Sequence, residues 1–213
     1  MSAFIHRFLP PESPEALTLL LLHGTGGDED DLVEFGRTLD GQAALLSPRG
    51  QVTENGAHRW FRRLAEGVFD VDDLLTRTDD LAAFVRDTVA EHQLDPARVV
   101  AVGFSNGANI AATLLLRHPS LLRAAVLFAP MLPLEHPDPV DLTGVAVFLA
   151  AGRNDQIAPP EQARQLAEVL AERGAAVELR WHPGGHGIDH RTLAQSIAWL
   201  AKLRAALGTD PLP

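Results

Sequence analysis

Six serines occur in this chain, and one of them stands where a hydroxyl could become a nucleophile. Ser105 lies in Gly103-Phe104-Ser105-Asn106-Gly107, where the apolar run Arg98-Val-Val-Ala-Val-Gly-Phe meets a helical pattern over 106–117. Ser2 is terminal, Ser13 lies among prolines, Ser47 precedes Pro48, Ser120 follows Pro119 and Ser196 falls within the last helical pattern. Lifting a hydroxyl above a sheet requires a sharp, strained reversal of the chain. Gly103 and Gly107 remove side chains that would collide across that turn, and Ala108 continues the small set. The helix that follows begins with unpaired N–H groups, a favourable place for the negative charge that develops in acyl transfer. The pentapeptide alone arises readily by chance; the strand-to-helix junction gives it weight. A glycine-rich turn with an incidental serine is the competing reading.

A serine attacks only when a base takes its proton, and the base must itself be oriented. On a turn of this kind the acid and then the histidine follow the nucleophile along the chain. His118 ends the helix after Ser105, a position that suits a helix C-terminus. His136 lies in a proline-rich stretch, His182 directly follows the last strand pattern and His190 falls inside the last helix. His186, in Pro183-Gly184-Gly185-His186-Gly187, is the candidate base, because flanking glycines let a loop bring an imidazole over the turn. Asp155, in the loop 151–159 after a strand, is the candidate acid. Asp189 competes, but it follows His186 closely and suits a helix cap.

Charge on a substrate oxygen needs two preset N–H donors. Asn106 offers one. The bend Leu22-His23-Gly24-Thr25-Gly26-Gly27-Asp28 offers the second at Thr25, with His23 expected to steady the loop. A phosphate cradle is the alternative for this bend, which lacks a lysine and dinucleotide spacing. His182, His186 and His190 would chelate a metal only from a helix, and Gly184, Gly185 and Gly187 oppose one there. No metal and no cofactor is expected.

Composition removes other chemistries. The chain has no cysteine or tyrosine, and Lys202 is its only lysine, which argues against thiol, Schiff-base, phosphate-loop and Ser-Lys mechanisms. A formal net charge of -10 with no basic cluster argues against nucleic acid as a partner. The longest apolar run, around Leu19–Leu22, falls far short of a membrane span, and no signal peptide is visible. No stable membrane insertion and cytoplasmic residence are therefore the expectations.

These residues need a scaffold. Apolar runs at Phe4–Leu9, Leu17–Leu22, Ala43–Leu46, Val99–Phe104, Ala124–Phe128, Val145–Ala150 and Val177–Trp181 read as strands. The central ones lack alternation, as strands covered on both faces do. Helical patterns run from Asp72 to about His92, over 106–117, from Pro159 to Arg173 with Gly174 as a stop, and from about Asp189. The reading is α/β: one domain over 1–213, a mostly parallel sheet with helices on both faces and no cap domain. Two stretches read as irregular, Pro48–Val71 and Pro130–Gly144. Trp60, Phe61, Met131 and Leu132 lie in them as candidate walls of an acyl pocket or as packing residues, and the site is expected to be open.

With the motifs Leu-His-Gly-Thr-Gly-Gly-Asp at 22–28, Gly-Phe-Ser-Asn-Gly-Ala at 103–108, Gly-Arg-Asn-Asp at 152–155 and Gly-Gly-His at 184–186, the chain resembles the phospholipase/carboxylesterase family of small α/β hydrolases. That family also contains the acyl-protein thioesterases. Arg59-Trp-Phe-Arg-Arg63 is similar to an aromatic stretch of its bacterial carboxylesterase branch. The resemblance implies a cofactor-free, often homodimeric esterase acting on small-molecule esters of short to medium acyl chains. Many members carry Gln where this chain has Asn106, which sets it apart from the thioesterase branch. An acyl thioesterase, a lysophospholipase or small peptidase with the same triad is the alternative within enzymes. A non-catalytic ligand-binding protein on the same scaffold is the alternative outside them.

Overall fold

A strand that reads Thr-Leu-Leu-Leu-Leu has no polar face to offer water and must lie in the middle of a sheet. In the computed structural model, which describes residues 4–65 and 67–209, that strand is buried along its whole length. The elements in chain order are β1 (His6–Leu9), β2 (Thr18–Leu22), α1 (Val33–Leu39), β3 (Ala44–Pro48), β4 (Val52–Glu54), β5 (Ala57–Arg59), β6 (Arg63–Ala65), β7 (Val68–Phe69) and α2 (Val71–Glu91). They continue with β8 (Val99–Phe104), α3 (Asn106–Arg117), β9 (Ala124–Phe128), β10 (Ala146–Gly152), α4 (Pro160–Glu172), β11 (Ala176–His182) and α5 (His190–Thr209).

Seven strands form one sheet in the order β1-β3-β2-β8-β9-β10-β11. Only β1 runs antiparallel, against β3; every other pairing in it is parallel. Successive side chains of a strand point to opposite faces, and the core divides accordingly. Leu20, Leu22, Ala101, Leu127 and Leu149 pack under α2, α3 and α4. Leu19, Leu21, Val100, Val102, Val126 and Phe148 face the α1 and α5 side. Burial of each such leucine contributes about 1.5–3 kcal/mol, so the sheet is held from both faces.

Polar side chains close the helix ends. The Asp70 carboxylate accepts the N–H of Asp73 at the start of α2, and Asp189 accepts that of Thr192 at 2.8 Å at the start of α5. The stretch 48–71, read above as irregular, contains two antiparallel hairpins, β4–β5 and β6–β7. The first turns at Asn55-Gly56, both in the left-handed region with φ of 52° and 80°. Asn-Gly at such a turn is a strong hairpin signal; the strands it joins are three residues each, too short for a periodic pattern. The stretch 130–144 contains no helix or strand. No helix among the described residues is long and apolar enough to cross a membrane.

Candidate active site

Parallel strands deliver their C-terminal loops to one edge of the sheet. Four such loops meet here: those following β2, β8, β10 and β11. Ser105 follows β8 directly and holds φ 53° and ψ -116°, a sparsely populated conformation for a residue with a Cβ. Its N–H donates to Phe128 O at 2.9 Å, and its own carbonyl accepts the first helical bond of α3, from Asn109 N–H. The hydroxyl is thereby held above the sheet at the start of the helix.

His186 reaches this hydroxyl from the loop after β11. Its Nε2 lies 2.8 Å from Ser105 Oγ, and its Nδ1 lies 2.7 Å from Asp155 Oδ2. An ionised carboxylate only accepts, so Nδ1 carries the proton and the Nε2 lone pair faces the hydroxyl. Asp155 is almost wholly buried and also accepts the N–H groups of Ile157 and Ala158, at 2.9 and 2.8 Å. Three donors thus fix the carboxylate that fixes the imidazole. The structure places Asp189 elsewhere, as the cap of α5.

The acid and histidine loops are strapped together through their backbones. Arg153 N–H donates to His182 O, Asn154 N–H to Gly184 O, and Asn154 Nδ2 to Pro183 O. A Cβ on Gly152 would fall 2.5 Å from Gly184 O and closer still to Gly185 O. Only glycine permits that approach. His182 is buried at the end of β11, with Nδ1 accepting the N–H of Gly184. His190 opens α5 and His118 bonds Asp79 at the end of α3. Among the described residues no group of three or more His, Asp or Glu side chains is arranged to hold a metal ion.

The two candidate oxyanion donors lie on neighbouring strands' loops. Leu22 at the end of β2 pairs with Gly103 near the end of β8, so the segments that carry Thr25 and Asn106 leave the sheet from paired positions. A Cβ on Gly107 would lie 2.6 Å from His23 O and closer to Leu22 O, so α3 starts hard against the end of β2. The N–H groups of Thr25 and Asn106 donate to no other group among the described residues. His23 is 1% exposed; its Nδ1–H donates to Gly24 O at 2.7 Å, and its Nε2 accepts the N–H of Gly50 at 2.9 Å. Burial pushes its pKa down, and that bond pattern belongs to the neutral ring.

The aromatic pair of 60–61 requires a correction. Trp60 and Phe61, considered above as pocket walls, are 1% and 0% exposed and belong to the core. Both N–H groups of Trp60 point inward to protein acceptors, and Phe61 packs edge-on against Phe69, ring centroids 5.1 Å apart. Leu132 does line a cavity, of about 490 Å³, with Phe69, Val71 and Leu134. Met131 stands beside it, near Gly67. The cavity lies between the β6–β7 hairpin and the loop after β9, and no residue of the Ser105–His186–Asp155 cluster lines it.

Comparison with known proteins finds relatives along most of the chain. The model of the phospholipase/carboxylesterase family matches residues 5–204. MhqD of Bacillus subtilis (strain 168) is 44% identical over 181 residues, spanning 85% of this chain and 90% of that protein. The Bacillus cereus carboxylesterase crystal structure superposes with a TM-score of 0.91 at 41% identity, covering 93% of this chain and 94% of that one. A carboxylesterase structure from Mesorhizobium loti gives 0.87 at 35% identity, covering 93% and 94%. This chain therefore belongs to the phospholipase/carboxylesterase family of hydrolases.

Proposed function

We propose that the protein is a serine carboxylesterase that hydrolyses short- to medium-chain esters through an acyl-enzyme on Ser105. The observation that carries this reading is His186, bonded at 2.7 Å to Asp155 on one nitrogen and at 2.8 Å to Ser105 on the other. Ser105 Oγ attacks the ester carbonyl carbon while its proton passes to His186 Nε2. The carbonyl oxygen becomes an oxyanion held by the N–H groups of Thr25 and Asn106. As the tetrahedral species collapses, the bond to the alkoxy oxygen breaks and His186 gives that oxygen its proton. Water then attacks the acyl carbon with His186 again as base, and collapse returns the proton to Ser105 and releases the carboxylic acid. Asp155 keeps the ring in the productive tautomer and stabilises the transient imidazolium.

The acyl-chain length is what the resemblance to carboxylesterases implies. The cavity of about 490 Å³ beside Met131 has Phe69, Leu132 and Leu134 on its wall but also Glu135, His136, Gln162 and Gln165, and by size alone it suits a small ligand. Its kinship with carboxylesterases supports oxygen esters over thioesters. A fluorophosphonate should label Ser105, and the adduct should be absent from Ser105→Ala. Ser105→Ala and His186→Ala should each lose on the order of 10⁴-fold or more in kcat on a p-nitrophenyl ester. A parallel series of esters from acetate to decanoate, acyl thioesters and anilides reads the substrate class. Full activity in Ser105→Ala, or no adduct on Ser105, would overturn the proposal.

A further inference from the structure

The geometry points to Trp60 as a positioning residue of the oxyanion hole: it braces, at once, the two loops that carry the donors. This rests on the reading of Ser105 as nucleophile given above. Thr25 and Asn106 belong to segments far apart in the chain, and each must hold its N–H where charge develops. Trp60 touches both segments. Its indole Nε1–H donates to His23 O at 2.8 Å, two residues before Thr25. Its backbone N–H donates to the side chain of Asn106, Oδ1, also at 2.8 Å. The indole further packs on the His23 ring, centroids 4.9 Å apart. With Trp60 1% exposed, neither bond competes with water.

The neighbours of Trp60 extend the brace along the same bend. His58 O accepts the N–H of Gly26 at 2.9 Å, and Arg59 Nη1 donates to Thr25 Oγ1 at 3.0 Å. Gly50 N–H holds His23 Nε2. The bend itself is exposed at Thr25 and Gly26 and contains three glycines, so little in its own sequence confines it. Oxyanion donors accelerate a reaction because they are already in place and need no reorganisation. A bend left to itself would lose that advantage. The β4–β5 hairpin and Trp60 supply the confinement from outside. Asn106 takes part twice: its N–H as a donor to the oxyanion and its Oδ1 as the anchor for Trp60.

Trp60→Phe keeps an aromatic ring while removing the indole donor to His23 O. Asn106→Ala keeps the backbone donor while removing the anchor. Complete loss of one oxyanion donor costs about 10²–10³ in kcat, so a donor that is loosened rather than lost should cost on the order of tenfold. Each variant is titrated with a fluorophosphonate so that rates are given per labelled Ser105. The expected result is a roughly tenfold fall in kcat per titrated site with KM for a short ester unchanged. The inhibition constant of a trifluoromethyl ketone, which forms the tetrahedral adduct, should rise by the same factor. A purely structural role would lower thermal stability or the fraction of sites titrated while leaving both per-site quantities alone. Wild-type kcat and wild-type ketone affinity in both variants would overturn the proposal. Should Trp60→Phe fail to fold, Asn106→Ala reads the same two quantities. Absence of label in the wild-type protein would instead refute the nucleophile itself.

Discussion

Gly152→Ala adds one methyl group at the point where the acid and histidine loops touch, and its effect can be followed from the added atom to the rate. The new Cβ would lie 2.5 Å from Gly184 O and nearer to Gly185 O, against ordinary contacts of 3.4 Å or more. Both obstacles are backbone atoms, so no flexible side chain can turn aside. The loops must part by about 1 Å. The bond from His186 Nδ1 to Asp155 Oδ2, now 2.7 Å, would stretch beyond the hydrogen-bonding range. A misplacement of about 1 Å costs about 10² in rate, and complete loss of the orienting acid about 10⁴. The expected fall in kcat/KM therefore lies between about 10² and 10⁴, with roughly 1–3 kcal/mol lost in stability through overpacking. Ester hydrolysis under initial-rate conditions measures the first, and urea unfolding the second. Gly187→Ala is the control from the same loop, because a Cβ there meets nothing within 4 Å. Wild-type kcat/KM in Gly152→Ala, or an equal loss in Gly187→Ala, would refute the reasoning.

Acidification should destabilise the fold in part through His23, whose pKa burial pushes below its ordinary 6.5. Under that shift the unfolded chain binds more protons than the folded one, so stability rises with pH. The contribution is complete above about pH 6.5 and is lost as pH falls toward the lowered value, because a second ring proton would face the Gly50 N–H. Urea midpoints between pH 5 and 7.5 should thus fall more steeply for wild type than for His23→Asn, and equal slopes would contradict this. Asp189→Ala removes the carboxylate that accepts Thr192 N–H at 2.8 Å, costing about 1 kcal/mol. For a chain of this size the melting temperature should drop by roughly 2–4 °C. An unchanged melting temperature would show that α5 does not depend on this cap.

The glycines at 103, 107 and 152 link these results to the chemistry. Each stands where two backbones come closer than any side chain would permit. At Gly103 and Gly107 this brings the start of α3 against the ends of β8 and β2. At Gly152 it joins the Asp155 and His186 loops. The loops that carry the proposed catalytic groups can converge on Ser105 because backbone packs directly on backbone at these three glycines.

Much of this protein was legible in its residues, because the features concerned are local. Buried parallel strands are apolar throughout, so seven strands and, among the described residues, four of the five α-helices stood out, with every boundary that was read falling within a residue or two of its place. The turn at Ser105 needs its glycines within five positions, and the order of serine, aspartate and histidine follows the order of strand ends along one edge. What tertiary structure decided is what depends on contacts distant in sequence. α1 escaped notice because it is seven residues long with Gly36 in its middle; that glycine is required by Leu21 and Leu45 of the sheet beneath, not by the helix. Trp60 looked as able to line a pocket as to pack, since an aromatic residue in an irregular stretch carries no mark of direction. Its fate was set by acceptors 37 and 46 residues away, His23 O and Asn106 Oδ1. A local motif could nominate a nucleophile and its relay; the contacts that hold the two proposed oxyanion donors arise only when the β4–β5 hairpin and Trp60 fold against their loops.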